Sequence, residues 1–433
     1  MTDAAPTIPS DIRGRLAPAD TTETCLPVCR FCAAPLSHTV VDLGMSPLCE
    51  SYVHADALSA MEPFFPLHVR VCERCLLVQL EEFVTPEDIF SEYAYFSSYS
   101  PSWVAHAKKY VAMARERFRL DSRSLVIEIA SNDGYLLQHV VGDGIPALGV
   151  EPAQNVAAVA RERGIETLVE FFGRRVAAEL LARGPRADLL VANNVMAHVP
   201  DLNDFVGAIA MVLAPSGVAT IEVPHLVSLI ERNQFDTIYH EHFSYFSLLT
   251  AQAVLAAHGL EVFDVDELSS HGGSLRVYAQ PQATGCHAVT PAVLALAARE
   301  RELRYDTLEP YGSFSESVMQ SKWRLLEFMI GVRRRGERIV GYGAPGKGNT
   351  LLNYCGIRTD LLDFTVDRNP YKQGQFLPGS RIPIRHPSAL ERERPDYILI
   401  LPWNLKDEIM QQLAHARAWG ARFVIPIPSV AVL

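Results

Sequence analysis

Two identical Cys-x-x-Cys pairs, Cys29 with Cys32 and Cys72 with Cys75, constrain this chain more than any other feature. Two thiolates separated by two residues can converge on one ion, and a second pair completes the four-sulfur tetrahedron that zinc favours. Disulfides, a redox pair and buried thiols acting as small apolar groups are the competing readings; in a chain expected in the cytoplasm a shared zinc is preferred. Four sulfurs leave no open coordination position, so the zinc is expected to be structural. The 39 residues between the pairs exceed the usual zinc-ribbon gap, so that loop must carry structure of its own. Cys25 and Cys49 lie close by, and a closed tetrahedron leaves them as core thiols.

The 433 residues suffice for about three domains of roughly 150 each. A net charge of −11 argues against a face that grips nucleic acid by its phosphates. The longest uncharged stretch, Phe205 to Ile221, is broken by Pro215, Ser216 and Gly217 and reads as helix, turn and strand rather than a membrane span. The N-terminus opens with Asp3, Asp11, Arg13 and Arg15 and shows no secretory signal, so a cytoplasmic location is expected. Residues 1–24 read as a flexible extension and 25–85 as the zinc-binding domain.

After Pro86 comes an aromatic cluster, Tyr93, Tyr95, Phe96, Tyr99 and Trp103, which reads first as core packing, followed by a helix from Trp103 to about Arg119. From Leu125 short apolar runs alternate with amphipathic helices: Leu125–Ala130, Ala147–Glu151, Asp188–Asn193 and Val218–Val223. That alternation predicts an α/β fold, a parallel sheet with helices on both faces, over a domain spanning 86–285. Ligands of such sheets sit beyond the carboxyl ends of the strands. There the first run leads into Ser131-Asn132-Asp133-Gly134, a tight turn offering backbone N–H groups, and the second ends in Glu151, 17 residues past that glycine, placed to accept both ribose hydroxyls of a nucleoside. The third run ends in Asn193-Asn194 and leads to His198; the fourth leads to Tyr239-His240-Glu241-His242, a run of side chains that favours a site over a structural network.

The two knuckles, the Glu128–Gly134 turn, Asn193–Pro200, Tyr239–His242 and His271-Gly-Gly-Ser-Leu275, in this order over nearly the whole chain, resemble the S-adenosylmethionine-dependent sugar C-methyltransferases. The resemblance implies a small zinc-binding domain with four cysteine ligands, a class I methyltransferase domain and a C-terminal Rossmann-like domain. It also implies a nucleotide-linked keto-deoxysugar, dTDP-linked in the expected case, as the acceptor. S-adenosylmethionine would then lie along Ser131, Asn132, Asp133, Gly134, Glu151, Asn193 and Asn194. Methylation at carbon needs a carbanion equivalent, which a neighbouring ketone supplies as an enolate, and the enzyme then needs a base and an oxyanion partner. On the resemblance His242 is the base, Glu241 binds the sugar or orients the imidazole, and Tyr239, His198 and Tyr93 donate hydrogen bonds near the keto oxygen. Methylation at oxygen or nitrogen on a similar sugar, and a zinc-anchored binding protein without turnover, remain rivals at this stage. A monomer is expected.

In residues 286–433 two helices, separated by a break around Pro310–Gly312, precede a strand and the G-x-G-x-x-G match Gly341–Gly346. Further strands are expected at Asp363–Val366, Tyr397–Leu401 and Arg422–Ile425, giving a second Rossmann-like unit. Asp367, 21 residues past Gly346, has the spacing of an NAD-binding acid, so a nucleotide-sugar oxidoreductase is a competitor. Lys347 beside the turn suits a diphosphate, while Gly348 rules out the Ser or Thr of a triphosphate-binding loop. The resemblance implies that Gly343, Lys347, Asn349, Trp403 and Asn404 hold the nucleotide of the sugar substrate. The remaining reading is that these glycines serve a tight turn alone.

Overall fold

The computed structural model describes residues 26–90 and 96–433. The N-terminal extension, Cys25, Tyr93 and Tyr95 lie outside the described residues.

The first domain is an antiparallel meander of β1 (His38–Ser46), β2 (Phe65–Val71) and β3 (Val78–Leu80). The loop between the knuckles carries β1 and β2, and the second knuckle is itself the connection from β2 to β3. Along β2 Leu67, Val69 and Val71 turn inward, the period-2 pattern of a strand with one face buried.

The middle domain opens with a helix over Pro101–Phe118, capped by the Ser100 hydroxyl, which accepts from the Trp103 N–H at 3.3 Å, and ended by Arg119 in the left-handed conformation. Its strands are β4 (Val126–Ile129), β5 (Ala147–Val150), β6 (Thr167–Leu168), β7 (Ala187–Asn193) and β8 (Leu213–Pro224). A two-residue β9 (Ser244–Tyr245) leaves this domain and pairs with β3, Val78 opposite Tyr245 and Gln79 opposite Ser244, extending the zinc-domain sheet. β10 (Leu260–Leu268) and β11 (Ser274–Pro281) then complete a seven-stranded sheet in the order β10-β11-β8-β7-β4-β5-β6. The core strands are parallel and β11 is antiparallel to both its neighbours. Helices reach both faces because parallel neighbours need crossovers. The uncharged stretch from Phe205 is a helix over Leu202–Val212 running straight into β8. Among the described residues no helix is long and apolar enough to cross a membrane.

A helix over Pro291–Glu302 lies on β10 and links to a 21-residue helix over Phe314–Arg334. The last domain follows: β12 (Ile339–Tyr342), β13 (Thr365–Val366), β14 (Ile384–Arg385), β15 (Tyr397–Ile400), β16 (Arg422–Ile425) and β17 (Ala431–Val432). Their order is β14-β13-β12-β15-β16-β17, parallel except for the last pair, so the sheet is mixed, and the direction of winding reverses between β12 and β15. The inner face of the zinc-domain sheet, the segment Leu226–Ile238 and this last domain share one apolar core, including Val40, Leu67, Phe235, Leu351 and Leu399. Cys29, Leu36, Cys72 and Leu77 instead join the core of the middle domain. The zinc domain is therefore packed between the other two.

Candidate active site

The two knuckles adopt the same turn. In each, the residue after the second cysteine has positive φ, Ala33 at 58° and Leu76 at 60°, and its N–H donates to the carbonyl of the first cysteine at 2.9 Å. The first-cysteine N–H in turn donates to the carbonyl five residues on. The four Sγ atoms of Cys29, Cys32, Cys72 and Cys75 lie within 4.8 Å of one another, with Cys29 to Cys75 and Cys32 to Cys72 at 3.5 Å. That separation is far beyond an S–S bond of about 2.05 Å. It is close to the ~3.8 Å edge of a tetrahedron with Zn–S bonds of about 2.3 Å. The side-chain amide of Gln79, which is 2% exposed, donates to the Cys29 sulfur at 3.1 Å, a support for thiolate charge. The donor set fits zinc, and all four expected ligands meet.

A cavity of about 720 Å³ runs from the carboxyl ends of β4, β5 and β7, past His198 and His242, to Lys347 of the last domain. At the first end, Ala130 and Asn132 have φ of 54° and 50° and Gly134 of 76°. The positive φ of Gly134 favours glycine there, and a Cβ would also stand 2.2 Å from Ile165 Cδ1. Asn132 and Glu151 line the cavity, together with Asn193 and Asn194. The Glu151 carboxylate accepts the N–H groups of Asn132 and Ala153, each at 2.9 Å, which ties the turn to the start of the next helix. Ser131, Asp133 and Gly134 do not line the cavity: Ser131 is wholly buried beneath Gly149, and Asp133 pairs with Arg163 and accepts from the Ser98 hydroxyl. The buried Oδ1 of Asn193 meets no hydrogen-bond partner among the described residues. Phe171 and Phe172, just beyond β6, add apolar rings to the cavity wall. An apolar slot with a carboxylate and an unsatisfied amide oxygen suits a nucleoside with a polar tail, as S-adenosylmethionine is.

In the centre, Tyr239, Glu241 and His242 line the cavity while His240 turns away, its Nε2 3.2 Å from the Pro66 carbonyl in the zinc domain. The imidazole of His242 lies edge-on to His198, with centroids 4.6 Å apart, and 4.0 Å from the Tyr239 ring. Its Nδ1 is 2.8 Å from the Thr237 carbonyl. A carbonyl only accepts, so Nδ1 carries the hydrogen and Nε2 keeps the lone pair. Burial, with the neighbouring His198, His271 and Lys347 adding to it, holds the His242 pKa well below the usual histidine range, and burial brings His198 to about 4. Glu241 is pushed up to about 8, chiefly by burial and then by the neighbouring Glu50 carboxylate. The thiol of Cys49 donates to its Oε1 at 3.6 Å. Cys49 is thus part of the cavity wall rather than a bystander in the core.

At the far end Lys347 lines the cavity, with Nζ donating to Asn404 Oδ1 at 2.9 Å and lying 4.9 Å from the Trp403 ring centroid. Gly343, Asn349, Trp403 and Asn404 do not line it. Gly343 has φ of 89° and rests on Pro402; Asn349 donates to the Cys49 carbonyl at 2.5 Å; the Trp403 indole donates to Asp236 at 2.6 Å. Asn349 and Trp403 instead join the last domain to its neighbours, and the zinc-domain loop packs against the glycine turn. A Cβ on Gly346 would stand 2.8 Å from the Cys49 sulfur. Asp367, the acid at NAD spacing, spends its two oxygens on the N–H groups of Ala344 and Asn369, at 2.6 and 2.8 Å.

Sequence reasoning passed over Cys49, Glu50, Phe171, Phe172 and Lys372, all in the cavity wall. Phe171 and Phe172 follow a strand of two residues, too short to register as a run. Lys372 Nζ contacts Glu50 at 3.2 Å, the Tyr52 hydroxyl at 2.7 Å and the Ala344 carbonyl at 3.0 Å, a link between domains that no local motif announces.

Three family patterns match the chain in order: a zinc binding domain over residues 29–90, a methyltransferase domain over 103–265 and a C-methyltransferase C-terminal domain over 269–428. C-methyltransferase NovU of Streptomyces niveus is 38% identical over 405 residues, covering 94% of this chain and 96% of that protein. A ubiquinone biosynthesis O-methyltransferase of Bartonella bacilliformis is 28% identical over 131 residues, 28% of this chain and 52% of its own length. The crystal structure of magnesium protoporphyrin IX methyltransferase from Synechocystis, at 13% identity, covers 41% of this chain and 78% of that one with a TM-score of 0.32, an overlap that carries no weight. Matched almost end to end by one relative, and by the three patterns in its three successive parts, the chain belongs to the S-adenosylmethionine-dependent C-methyltransferases with an N-terminal zinc-binding domain.

Proposed function

We propose that this enzyme methylates a carbon next to the ketone of a dTDP-linked 4-keto-deoxysugar, C3 in the expected case, through an enolate, in deoxysugar biosynthesis for a natural product or a surface glycan. The observation that carries the reading is the His242–Thr237 contact inside a cavity that also holds Lys347. An imidazole with its Nε2 lone pair turned to a buried chamber is a base for a carbon acid, and hydroxyl or amine acceptors would ask less of it.

S-adenosylmethionine, when bound, supplies an electrophilic methyl group that needs no metal activation, in keeping with zinc ligands that do not reach the cavity wall. Asn132, Glu151, Asn193 and Asn194 would hold it, Glu151 at the ribose. His242 takes the α-proton; His198 and Tyr239, packed against that ring, steady it or donate to the acceptor. Glu241, carrying its proton near neutral pH, binds a sugar oxygen. Lys347, and not the net charge of −11, attracts the diphosphate. The role expected of Tyr93 falls outside the described residues. Incubation with S-adenosylmethionine and a panel of dTDP-4-keto-6-deoxysugars, followed by mass spectrometry, should give one product heavier by a methylene; unchanged sugars across the panel would refute the reading.

A further inference from the structure

His271 is a non-glycine residue in the left-handed region, with φ 55° and ψ 16°. A histidine there is held against its own preference. The flanking turn explains how it is held. Gly272 and Gly273 follow at φ 93° and 129°, and a Cβ on either would stand under 3 Å from Trp403 or Ser228. The Gly272 carbonyl accepts from Gln234 Nε2 at 2.8 Å and from Arg232 Nη1 at 3.1 Å, and the Gly273 carbonyl accepts from the His225 N–H at 3.0 Å. The turn presents the imidazole to the cavity, edge-on to Trp103 at 5.5 Å, where it forms part of the same wall as Asn194 and His242.

Asn194 Nδ2 faces Nε2 of His271 at 3.4 Å; with the amide in this orientation Nε2 accepts and the hydrogen resides on Nδ1. Desolvation within the cavity wall and the Lys347 charge lower its pKa, which keeps the ring uncharged at neutral pH. His242 thus offers a lone pair to the chamber and His271 offers an N–H.

We propose that His271 is a further catalytic residue that donates its Nδ1 hydrogen to the acceptor's ketone oxygen. This rests on the keto-sugar reading above. As the α C–H bond breaks, its proton goes to His242 Nε2 and its electron pair moves into the C=C bond of the enolate, leaving the charge on the oxygen that His271 holds. A donor of that kind acts on charge present in the transition state and not in the ground state.

The test is exchange of the substrate α-hydrogen with D2O, followed by NMR with S-adenosylhomocysteine in place of the methyl donor. His271→Ala should lower the exchange rate by about 100- to 1,000-fold, with S-adenosylhomocysteine affinity and Tm close to wild type. His271→Asn tolerates the left-handed backbone and keeps an N–H near the Nδ1 position, so it should recover at least ~10-fold of the loss. His271→Gly, which suits the backbone, serves as a second donor-free variant if the alanine form fails to fold. Exchange at the wild-type rate in the donor-free variants, or equal losses in alanine and asparagine, overturns the proposal. No exchange by the wild-type enzyme with any dTDP-4-keto-6-deoxysugar overturns the acceptor reading instead, and this proposal with it.

Discussion

The Nδ1 of His242 lies 2.8 Å from the carbonyl oxygen of Thr237, five residues earlier in the chain, and this single contact decides which nitrogen of the ring can act as a base. The carbonyl belongs to the loop Gln234–Ile238 that docks the last domain, where Asp236 accepts from Trp403 and the Ile238 carbonyl accepts from the Thr350 hydroxyl at 2.9 Å. The chemistry and the domain packing therefore share a backbone segment.

Replacing His242 with alanine removes the proposed base without touching the residues at the cofactor end. Turnover should fall by about two to four decades, while S-adenosylmethionine still binds. Steady-state kinetics beside isothermal titration would show this, and an unaltered kcat would remove His242 from the mechanism.

The pH dependence follows from the two shifted groups. His242 must be neutral to accept a proton, and its pKa lies well below 6.5, so the acid limb of kcat/KM should fall below the ordinary histidine range. Glu241 is raised to about 8 from the usual 4.5, so the folded chain binds more protons than the unfolded one between those values. Its contribution to stability is full below 4.5 and is lost as the pH climbs through about 8. Activity should decline on the same alkaline side. Glu241→Gln should flatten both alkaline effects in a pH–rate profile and a pH series of melting curves.

Removal of zinc should not stay confined to the first domain. β3 pairs with β9, and Phe243, next to His242, donates its N–H to Ala197 and accepts from Leu80 at 3.0 Å. Cys72→Ser or prolonged chelation should lower Tm by about 5 °C or more, with kcat falling in step with metal content measured by atomic emission. Full activity in a zinc-free preparation that melts normally would exclude a structural zinc.

Trp403→Phe keeps an aromatic face but withdraws the donor from Asp236, whose buried carboxyl already sits at about 6, raised by burial. The cost should be about 1–3 kcal/mol in chemical denaturation. Because the indole is not in the cavity wall, the KM for the proposed nucleotide-sugar substrate should change little. A large rise in KM with unchanged stability would restore Trp403 as a stacking platform.

The central parallel strands of both Rossmann-like sheets, β4, β5, β7 and β8 and β12, β13, β15 and β16, were legible because strands buried on both faces read as continuous apolar runs, and Arg422–Ile425 is the expected segment to the residue; the antiparallel β10 and β11 and the two-residue β6, β14 and β17 were not. β1 and β2 hid in the gap between the knuckles because half-buried strands mix polar residues such as His68 and Arg70 among the apolar ones. The zinc ligands were legible from spacing alone. Tyr239, Glu241 and His242 shared a local run, whereas Cys49, Glu50 and Lys372 reach the same chamber from separate domains. Their meeting is a product of packing, and local sequence carries no sign of it. The glycine turn beside Trp403 and Asn404 was legible as a Rossmann switch point, but the sequence could not say that a loop of the zinc domain would pack against it.

Two residues, Ser244 and Tyr245, belong by connectivity to the methyl-donor domain and by hydrogen bonding to the zinc domain. Gene fusions and domain swaps work where few backbone bonds cross a border, and here the border runs two residues from His242. Grafting a homologous zinc domain onto this enzyme would exchange the strand that anchors the segment of its proposed base, so the first two domains must be inherited, and engineered, as one piece.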